Sequence, residues 1–129
     1  REKRPLKYIG FGGSGHQVRD ILHPKDLVHL LIKQMQESNS DAPKITNLGG
    51  GTKNSMSLKQ LSAWSEERFG AIEVIASTEE RRMDAPWIVM DSSMAKEIWD
   101  WTPKTTLNEI LEEIGKHAEA NPQWLKTTN

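Results

Sequence analysis

Two arginine-containing segments have the composition of an anion-binding site. Arg19 lies directly after a glycine-rich stretch. Arg81 and Arg82 precede Asp84 in a turn-like stretch between two predicted strands. A guanidinium group donates paired hydrogen bonds to phosphate oxygens, and glycine lets the backbone approach a ligand closely. From the residue types alone, a phosphate site and ordinary surface ion pairs both remain open for these arginines.

The glycine-rich stretch, GFGGSG at residues 10–15, has the spacing of the dinucleotide-binding fingerprint G-x-G-x-x-G but not its context. A functional fingerprint needs a helix that opens at the last glycine, because the first N–H groups of that helix hold the pyrophosphate. Here Pro24 follows Gly15 too closely for such a helix, and proline does not fit a helix interior. The position about 20 residues further on also offers no suitable acidic residue for the ribose. The stretch is therefore interpreted as a flexible loop.

Other catalytic patterns are missing from the sequence. The chain has no cysteine, and its four histidines do not form the H-E-x-x-H zinc pattern. There is no G-x-S-x-G nucleophile elbow. His23 and Asp26, three residues apart at a helix start, fit stabilisation of the helix dipole by Asp26 better than a ligand pair. We assign no catalytic residue and no metal ligand.

The composition sets limits on partners and location. The formal net charge of −1 argues against a nucleic-acid partner. No apolar run approaches the ~20 residues of a membrane span, so no membrane association is expected. The lack of cysteine suits a cytoplasmic protein. The sequence begins without methionine and enters a strand-like stretch almost at once, which suggests a chain cut from something longer.

Hydrophobic periodicity predicts an α/β fold with about four helices and a few short strands. The predicted strands are Lys7–Phe11, Lys44–Leu48, Ile72–Ala76 and Trp87–Met90. The predicted helices are Pro24–Ser38, with Leu27, Leu30, Leu31 and Met35 on one face, a second from Ser57 to Gly70, a short one after Ser93, and a last one between Thr106 and Asn121. Ser57 with Gln60 and Thr106 with Glu109 have capping-box spacing.

The whole chain, residues 1–129, is expected to form a single domain with one core. Its hydrophobic fraction of 36% is ordinary for a globular chain. The five tryptophans are expected to pack that core, and none is assigned a catalytic role. The strands are too few for a complete doubly wound sheet.

Four segments, in order along the chain, resemble motifs of the extended short-chain dehydrogenases, the family of NAD-dependent sugar-nucleotide epimerases and dehydratases. Residues 17–27 (QVRDILHPKDL) resemble its R-D-hydrophobic-hydrophobic-H-V-x-D segment, and residues 47–58 (NLGGGTKNSMSL) resemble N-V-G-G-G-x-x-N-S-V-S-L. Residues 81–86 (RRMDAP) are similar to R-P-G-D-x-P, and residues 91–103 (DSSMAKEIWDWTP) to D-x-S-K-A-x-x-x-L-G-W-x-P. Gln17 and the Pro86–Trp87 pair are most similar to the branch that acts on CDP-sugars.

The resemblance implies the C-terminal, substrate-binding region of such an enzyme, next to an N-terminal Rossmann domain. It implies that Arg19 and Arg81 bind the diphosphate of a nucleotide sugar, with Gln17 beside the nucleotide. Asp84 would support Arg81 or the loop. This chain has Arg82-Met83 where the family has Pro-Gly, so either Arg81 or Arg82 could face the ligand.

The family removes and returns a hydride through NAD, and a Tyr-x-x-x-Lys pair activates the substrate hydroxyl. The only tyrosine here, Tyr8, has Gly12 four residues further on, so the pair is absent and no cofactor is expected in this chain alone. Three hypotheses follow. The first is a sugar-nucleotide-binding part of an epimerase that works with a Rossmann domain. The second is a stand-alone binding or homo-oligomeric interaction module. The third is a small enzyme that uses the glycine loop for a dinucleotide, which the missing pair disfavours.

Overall fold

The structure, a computed structural model, describes residues 5–37 and 42–123. Within these residues it is a small α/β fold with four helices and short strands, which confirms the predicted fold class. The helices are α1 (Pro24–Gln36), α2 (Leu58–Phe69), α3 (Ser93–Trp99) and α4 (Leu107–Ala120). The strands are β1 (Leu6–Tyr8), β2 (Val18–Asp20), β3 (Ser55–Ser57), β4 (Val74–Ala76) and β5 (Trp87–Ile88). No described helix has the length and apolar content to cross a membrane.

The strands form two small sheets. Strands β1 and β4 pair in parallel, with Leu6 opposite Val74 and Tyr8 opposite Ala76. The other sheet has the order β3-β2-β5. Strands β4 and β5 lie within predicted strand segments, and β1 overlaps the predicted segment Lys7–Phe11 but begins one residue earlier. Strands β2 and β3 were not predicted.

The chain divides into two compact units, each assembled from segments that are distant in sequence. The first unit comprises residues 1–18, 56–87 and 111–129, as far as they are described, and the second comprises residues 19–55 and 88–110. The glycine loop, α2, β4 and most of α4 belong to the first unit. Helices α1 and α3 belong to the second. That the whole chain forms a single domain stays a prediction.

The helices begin where the capping residues predict. In α2, the Ser57 hydroxyl accepts a hydrogen bond from the Gln60 N–H at 3.1 Å, and the Gln60 side chain accepts from the Ser57 N–H at 2.8 Å. Thr106 and Glu109 form the same reciprocal pair at the start of α4. These bonds satisfy N–H groups that lack intrahelical partners, so both predicted capping boxes are confirmed. Helix α2 ends at Gly70, which has a φ of 84°.

The core of the second unit surrounds Leu30, Ala95, Trp99 and Trp101, which are at most 5% exposed. The indole N–H of Trp101 donates to the Asp26 carbonyl at 2.9 Å, and the Asp26 carboxylate accepts from the Thr105 N–H at 3.0 Å. His23 caps α1 through its Nδ1, which accepts from the Lys25 N–H at 3.0 Å. His23 therefore caps the start of α1, and Asp26 is a buried residue that accepts hydrogen bonds from Trp101 and Thr105.

In the first unit, Arg68 ties α2 to α4. Its guanidinium group pairs with Glu119 at 2.9 Å and with Glu112 at 2.6 Å, and it lies 5.7 Å from the centre of the Trp64 ring. The hydrogen bonds to Glu119 and then to Glu112 raise the pKa of Arg68 above its ordinary value. Gly115 provides the space, because a Cβ there would overlap the guanidinium group. Arg68 is thus engaged in packing and is not available to a ligand.

The predicted strand at Lys44–Leu48 is wrong. This segment has no regular secondary structure, and its backbone groups make no hydrogen bond to the described residues. A strand needs a neighbouring strand to complete its ladder, and the described part of the second unit offers none at this position. Leu48 still packs against the core, whereas Ile45 is 83% exposed.

The apolar residues that were predicted to share one face of α1 differ widely in exposure. Leu30 is 1% exposed, but Leu31 is 49% and Met35 is 85% exposed. Asp26 and Leu30 turn toward the core, because that side of the helix meets the tryptophan cluster. Large apolar side chains therefore occupy a solvent-facing stripe, here called the α1 outer face, that consists of Leu27, Val28, Leu31, Ile32 and Met35.

The tryptophans do not all pack the core, which corrects that expectation. Trp99 and Trp101 are each 5% exposed, and Trp64 is half-buried against Phe69. Trp87, in the two-residue strand β5, is 57% exposed. Trp124 lies outside the described residues.

Candidate ligand-binding site

The glycine loop of residues 10–15 is fixed by contacts to the segment that follows β4. The Gly10 N–H donates to the Glu79 carbonyl at 2.9 Å, and the Ser77 N–H donates to the Tyr8 carbonyl at 2.9 Å. The Tyr8 ring fills the space beside Gly15, where a Cβ would lie within 2.8 Å of ring atoms. The loop was predicted to be flexible, but these contacts hold it at both ends.

The hydrogen bonds of this loop differ from those of a pyrophosphate-binding loop. The first N–H groups of α2 donate to loop carbonyls, Lys59 to Gly15 at 2.8 Å and Leu58 to Gln17 at 3.3 Å. The loop therefore directs carbonyl oxygens at a helix N-terminus, which is the position that a phosphate takes in a dinucleotide site. The chain after Gly15 enters β2 and not a helix. This geometry supports the rejection of the fingerprint.

Asp84 packs directly on this loop. Its Oδ2 occupies the space in which a Cβ on Gly10 would stand, and Gly10 has a φ of 79°. Both carboxylate oxygens are inaccessible to solvent, and neither has a hydrogen-bond partner among the described residues. A buried acceptor without a donor costs about 1–3 kcal/mol. The free structure therefore leaves two acceptors unsatisfied at Gly10.

Gln17 contributes a third unsatisfied acceptor against the same loop. The residue is 4% exposed, and its Nε2 donates to the Ile9 carbonyl at 3.1 Å. Its Oε1 is buried and has no partner among the described residues. Because Ile9 and Gly10 are adjacent, the side chains of Gln17 and Asp84 meet neighbouring residues of one loop. The three oxygens, Gln17 Oε1 and the two carboxylate oxygens of Asp84, are here called the acceptor cluster.

Both arginines that precede Asp84 are exposed. Within the described residues, neither forms an ion pair, including with Asp84. The Cγ of Arg81 lies 3.4 Å from the place of a Cβ on Gly10. The Arg81 stem is therefore in contact with the loop, and its guanidinium group remains available to an anion.

Arg19 lies apart from this group in the division of the chain. It is the middle residue of β2, is half-buried, and falls in the second unit. Gln17, Arg81 and Asp84 all fall in the first unit. The structure thus brings three of the four predicted site residues together at the glycine loop.

The sequence analysis missed the part played by Gly10 itself. The contact between Gly10 and Asp84 joins residues 74 positions apart, so no local pattern reveals it. It also missed the exposure of Trp87, which follows Asp84 by three residues. The one available signal was the density of unusual residue types in 81–87, where two arginines, an aspartate and a tryptophan occur within seven positions.

The second unit contains an open cleft of about 450 Å³. Lys33, Lys104 and His29 contribute its basic groups, and Asp100, Trp101 and Thr102 complete the lining. Lys33 also pairs with Glu37 at 3.9 Å. None of the predicted site residues lines this cleft. Among the described residues, no group of three histidine or acidic side chains is arranged to hold a metal ion.

Comparison with known proteins finds relatives that are named as epimerases. No family model matches the chain. The chain is 26% identical over 108 residues to a CDP-paratose 2-epimerase of Salmonella typhi, a match that covers 84% of this chain and 32% of that protein. It is also 26% identical over 126 residues to a UDP-glucuronate 4-epimerase of Thermodesulfobacterium geofontis, which covers 98% of this chain and 37% of that protein. The chain thus spans about a third of the length of these relatives, and the resemblance to the epimerase family is confirmed.

Proposed function

We propose that this relative of the sugar-nucleotide epimerases binds a nucleotide-diphosphate sugar, as the substrate-binding part of an NAD-dependent epimerase or dehydratase. The observation that carries the proposal is the acceptor cluster of Gln17 and Asp84 at Ile9 and Gly10, with the side chain of Arg81, which forms no ion pair among the described residues, also close to Gly10. The two relatives are named for a CDP-sugar and a UDP-sugar, so a CDP- or UDP-sugar is the proposed ligand.

The chemistry of the cluster fits such a ligand. Carboxylate and amide oxygens accept hydrogen bonds from the hydroxyl groups of a ribose or a sugar. Because these acceptors have no donor in the described structure, a ligand hydroxyl would satisfy them without breaking an existing hydrogen bond.

The diphosphate is assigned to arginines. Arg81 is favoured over Arg82 because its Cγ lies 3.4 Å from the place of a Cβ on Gly10, the residue on which Asp84 packs. Arg19 is retained as a second phosphate ligand on the strength of the R-D motif in residues 17–27. A guanidinium group gives a phosphate bidentate, charge-assisted hydrogen bonds.

Hydride transfer requires groups that lie outside this chain's described site. The ring of Tyr8 packs beside Gly15, and no lysine follows it by four positions, so Tyr8 does not act as the base of a Tyr-x-x-x-Lys pair. NAD and the catalytic pair are assigned to an NAD-binding domain, on the same polypeptide or on another. The absence of cysteine supports a cytoplasmic location.

The α1 outer face is the surface on which that NAD-binding domain is proposed to pack. Five large apolar side chains remain at least 37% exposed there, which is costly for a helix in water. The relatives contain about two thirds of their length without a counterpart in this chain, enough for a further domain. In the same unit, the unpaired backbone of Lys44–Leu48 would complete its hydrogen bonds at the edge of that domain's sheet.

Isothermal titration with CDP, UDP, NAD and inorganic pyrophosphate tests the proposed function. CDP or UDP should bind the 129-residue chain, and NAD should not. Arg81→Ala should weaken nucleotide binding about ten-fold or more, as expected for a charge-assisted hydrogen bond. Arg82→Ala is the matched control, with an exposed arginine next in sequence, and should change binding by less than about two-fold. Equal losses in both variants, or no binding of either nucleotide, would contradict the proposal.

A second candidate function is a homo-oligomeric interaction module without enzyme activity, and the α1 outer face is also the observation that favours it. The two candidates differ in what covers this face. Sedimentation velocity on the chain separates them, because a stable dimer that Ile32→Asp dissociates, together with no nucleotide binding, would favour the module. A monomer that binds CDP would favour the epimerase part.

A further inference from the structure

Trp87 is exposed in a way that packing does not explain. Its side chain is 57% exposed, whereas Trp99 and Trp101 are 5% exposed. A covered indole buries more apolar area than almost any other side chain. An exposed tryptophan therefore does not contribute this hydrophobic free energy to folding. One exposed aromatic is common on a protein surface, and the exposure becomes informative only through its surroundings.

The surroundings of Trp87 are the candidate site. The carbonyl of Pro86, the preceding residue, accepts a hydrogen bond from the Val18 N–H at 2.9 Å. Val18 in turn follows Gln17, which carries one acceptor of the cluster. Asp84, three residues before Trp87, carries the others. The backbone at Trp87 therefore adjoins the two segments that carry the acceptor cluster, and it is held by β5 and by the fixed φ of proline.

We infer that Trp87 is the platform on which the nucleobase of the bound nucleotide stacks. This inference rests on the proposed function and adds the group that recognises the base. A planar base that stacks on the exposed indole would cover apolar surface on both partners. The phosphates of the same nucleotide would extend toward Arg81, and its hydroxyls toward the acceptor cluster.

Stacking also predicts how selective the platform is. Every base has a π-face, so an indole platform tolerates different bases. Stacking on Trp87 is therefore expected to change the relative affinities for CDP and UDP by no more than about three-fold. Discrimination between them must come from hydrogen bonds at the base edge. Inorganic pyrophosphate, which has no base, should not sense Trp87.

The test is titration of native protein, Trp87→Ala and Trp87→Phe with CDP and with inorganic pyrophosphate. Trp87→Ala should weaken CDP binding about ten-fold or more, and Trp87→Phe should retain binding to within about three-fold, because phenylalanine also stacks. Pyrophosphate should bind all three proteins equally, which shows that the variants remain folded. Met83→Ala is the matched control, because Met83 is 92% exposed in the same segment and should affect neither ligand.

The outcomes separate the two claims. If native protein binds both ligands and Trp87→Ala binds CDP as tightly as native protein, the platform is wrong and the proposed function stands. If Trp87→Ala weakens CDP and pyrophosphate equally, Trp87 supports the structure of the site and does not stack, and the inference is again wrong. If native protein binds neither ligand, the proposed function and the platform both fail.

Discussion

The Oδ2 of Asp84 occupies the space in which a side chain on Gly10 would begin. This contact links the glycine loop after β1 to the segment 81–86 before β5, and it determines where the acceptor cluster lies. It also means that residue 10 is restricted twice, by its φ of 79° and by the carboxylate beside it.

Gly10→Ala should therefore destabilise the protein more than its backbone conformation alone requires. Gly70 is a matched control, because its φ of 84° and ψ of 176° are close to the 79° and 169° of Gly10, and a Cβ there would meet nothing within 4 Å. Both alanines incur backbone strain of about 1–3 kcal/mol. Gly10→Ala should cost roughly 1–3 kcal/mol more in urea unfolding, because of the overlap. In the Asp84→Ala background this excess should disappear, and an undiminished excess would show that another contact causes it.

Asp84→Ala should weaken CDP binding and increase the folding stability of the protein. Removal of two buried acceptors that lack donors should raise the free energy of unfolding of the unliganded protein by about 1 kcal/mol. Asp20→Ala provides the contrast, since the Asp20 carboxylate accepts from the Gly51 N–H at 3.0 Å and its loss should destabilise by about 1 kcal/mol. Urea denaturation with and without CDP measures both effects. A destabilised Asp84→Ala protein would mean that the carboxylate has a donor in solution.

Acid destabilisation should depend on the capping box at the start of α4. Hydrogen bonds from the Thr106 N–H and then from its hydroxyl lower the pKa of Glu109. A lowered folded-state pKa adds stability above the unfolded value of about 4.3, and this stability is lost as the pH falls through the folded-state pKa. Glu109→Gln should therefore lose less stability than native protein between about pH 5 and pH 3. The test measures the midpoint of urea unfolding of both proteins as a function of pH. If the midpoints of Glu109→Gln and native protein fall equally at acid pH, Glu109 does not have this role.

The α1 outer face should tolerate charge, although it is apolar. Ile32 is 46% exposed, so Ile32→Asp should cost no more than about 1 kcal/mol of folding stability. Leu30 on the same helix is 1% exposed, and Leu30→Ala should cost about 2–5 kcal/mol. Thermal unfolding compares the two. If Ile32→Asp proves as damaging as Leu30→Ala, the face is covered in solution, and sedimentation velocity will show whether a second copy covers it.

Local signals in the sequence predicted the elements well. The capping pairs at Ser57 and Thr106, the proline at the start of α1 and the glycine after α2 each act within a few residues, so a sequence window contains their physics. The incorrect predictions concern features that depend on residues distant in sequence. Lys44–Leu48 has the composition of a strand but no adjacent strand to pair with. The apolar period of α1 marks a helix without revealing which of its sides meets Trp99 and Trp101.

The candidate site could be predicted only in part from the sequence, because it also depends on contacts between distant residues. Arg81 and Asp84 were identified from a segment motif, and Gln17 from its position before Arg19. Their meeting at Gly10 depends on the hydrogen bond from Gly10 to Glu79 and on the packing of Asp84, which are tertiary contacts. The exposure of Trp87 is likewise a property of the folded chain, since tryptophan in a strand is usually buried.

Amide NMR spectroscopy with CDP tests most directly whether the chain binds a nucleotide at the acceptor cluster. On titration, the backbone amides of Gly10 and Asp84 and the side-chain amide of Gln17 should shift with one common affinity. The Trp87 indole N–H should shift with them, and Arg81→Ala should weaken all four responses together. Shifts confined to the cleft of His29, Lys33 and Lys104, or no shifts at saturating CDP, would contradict the assignment of this site.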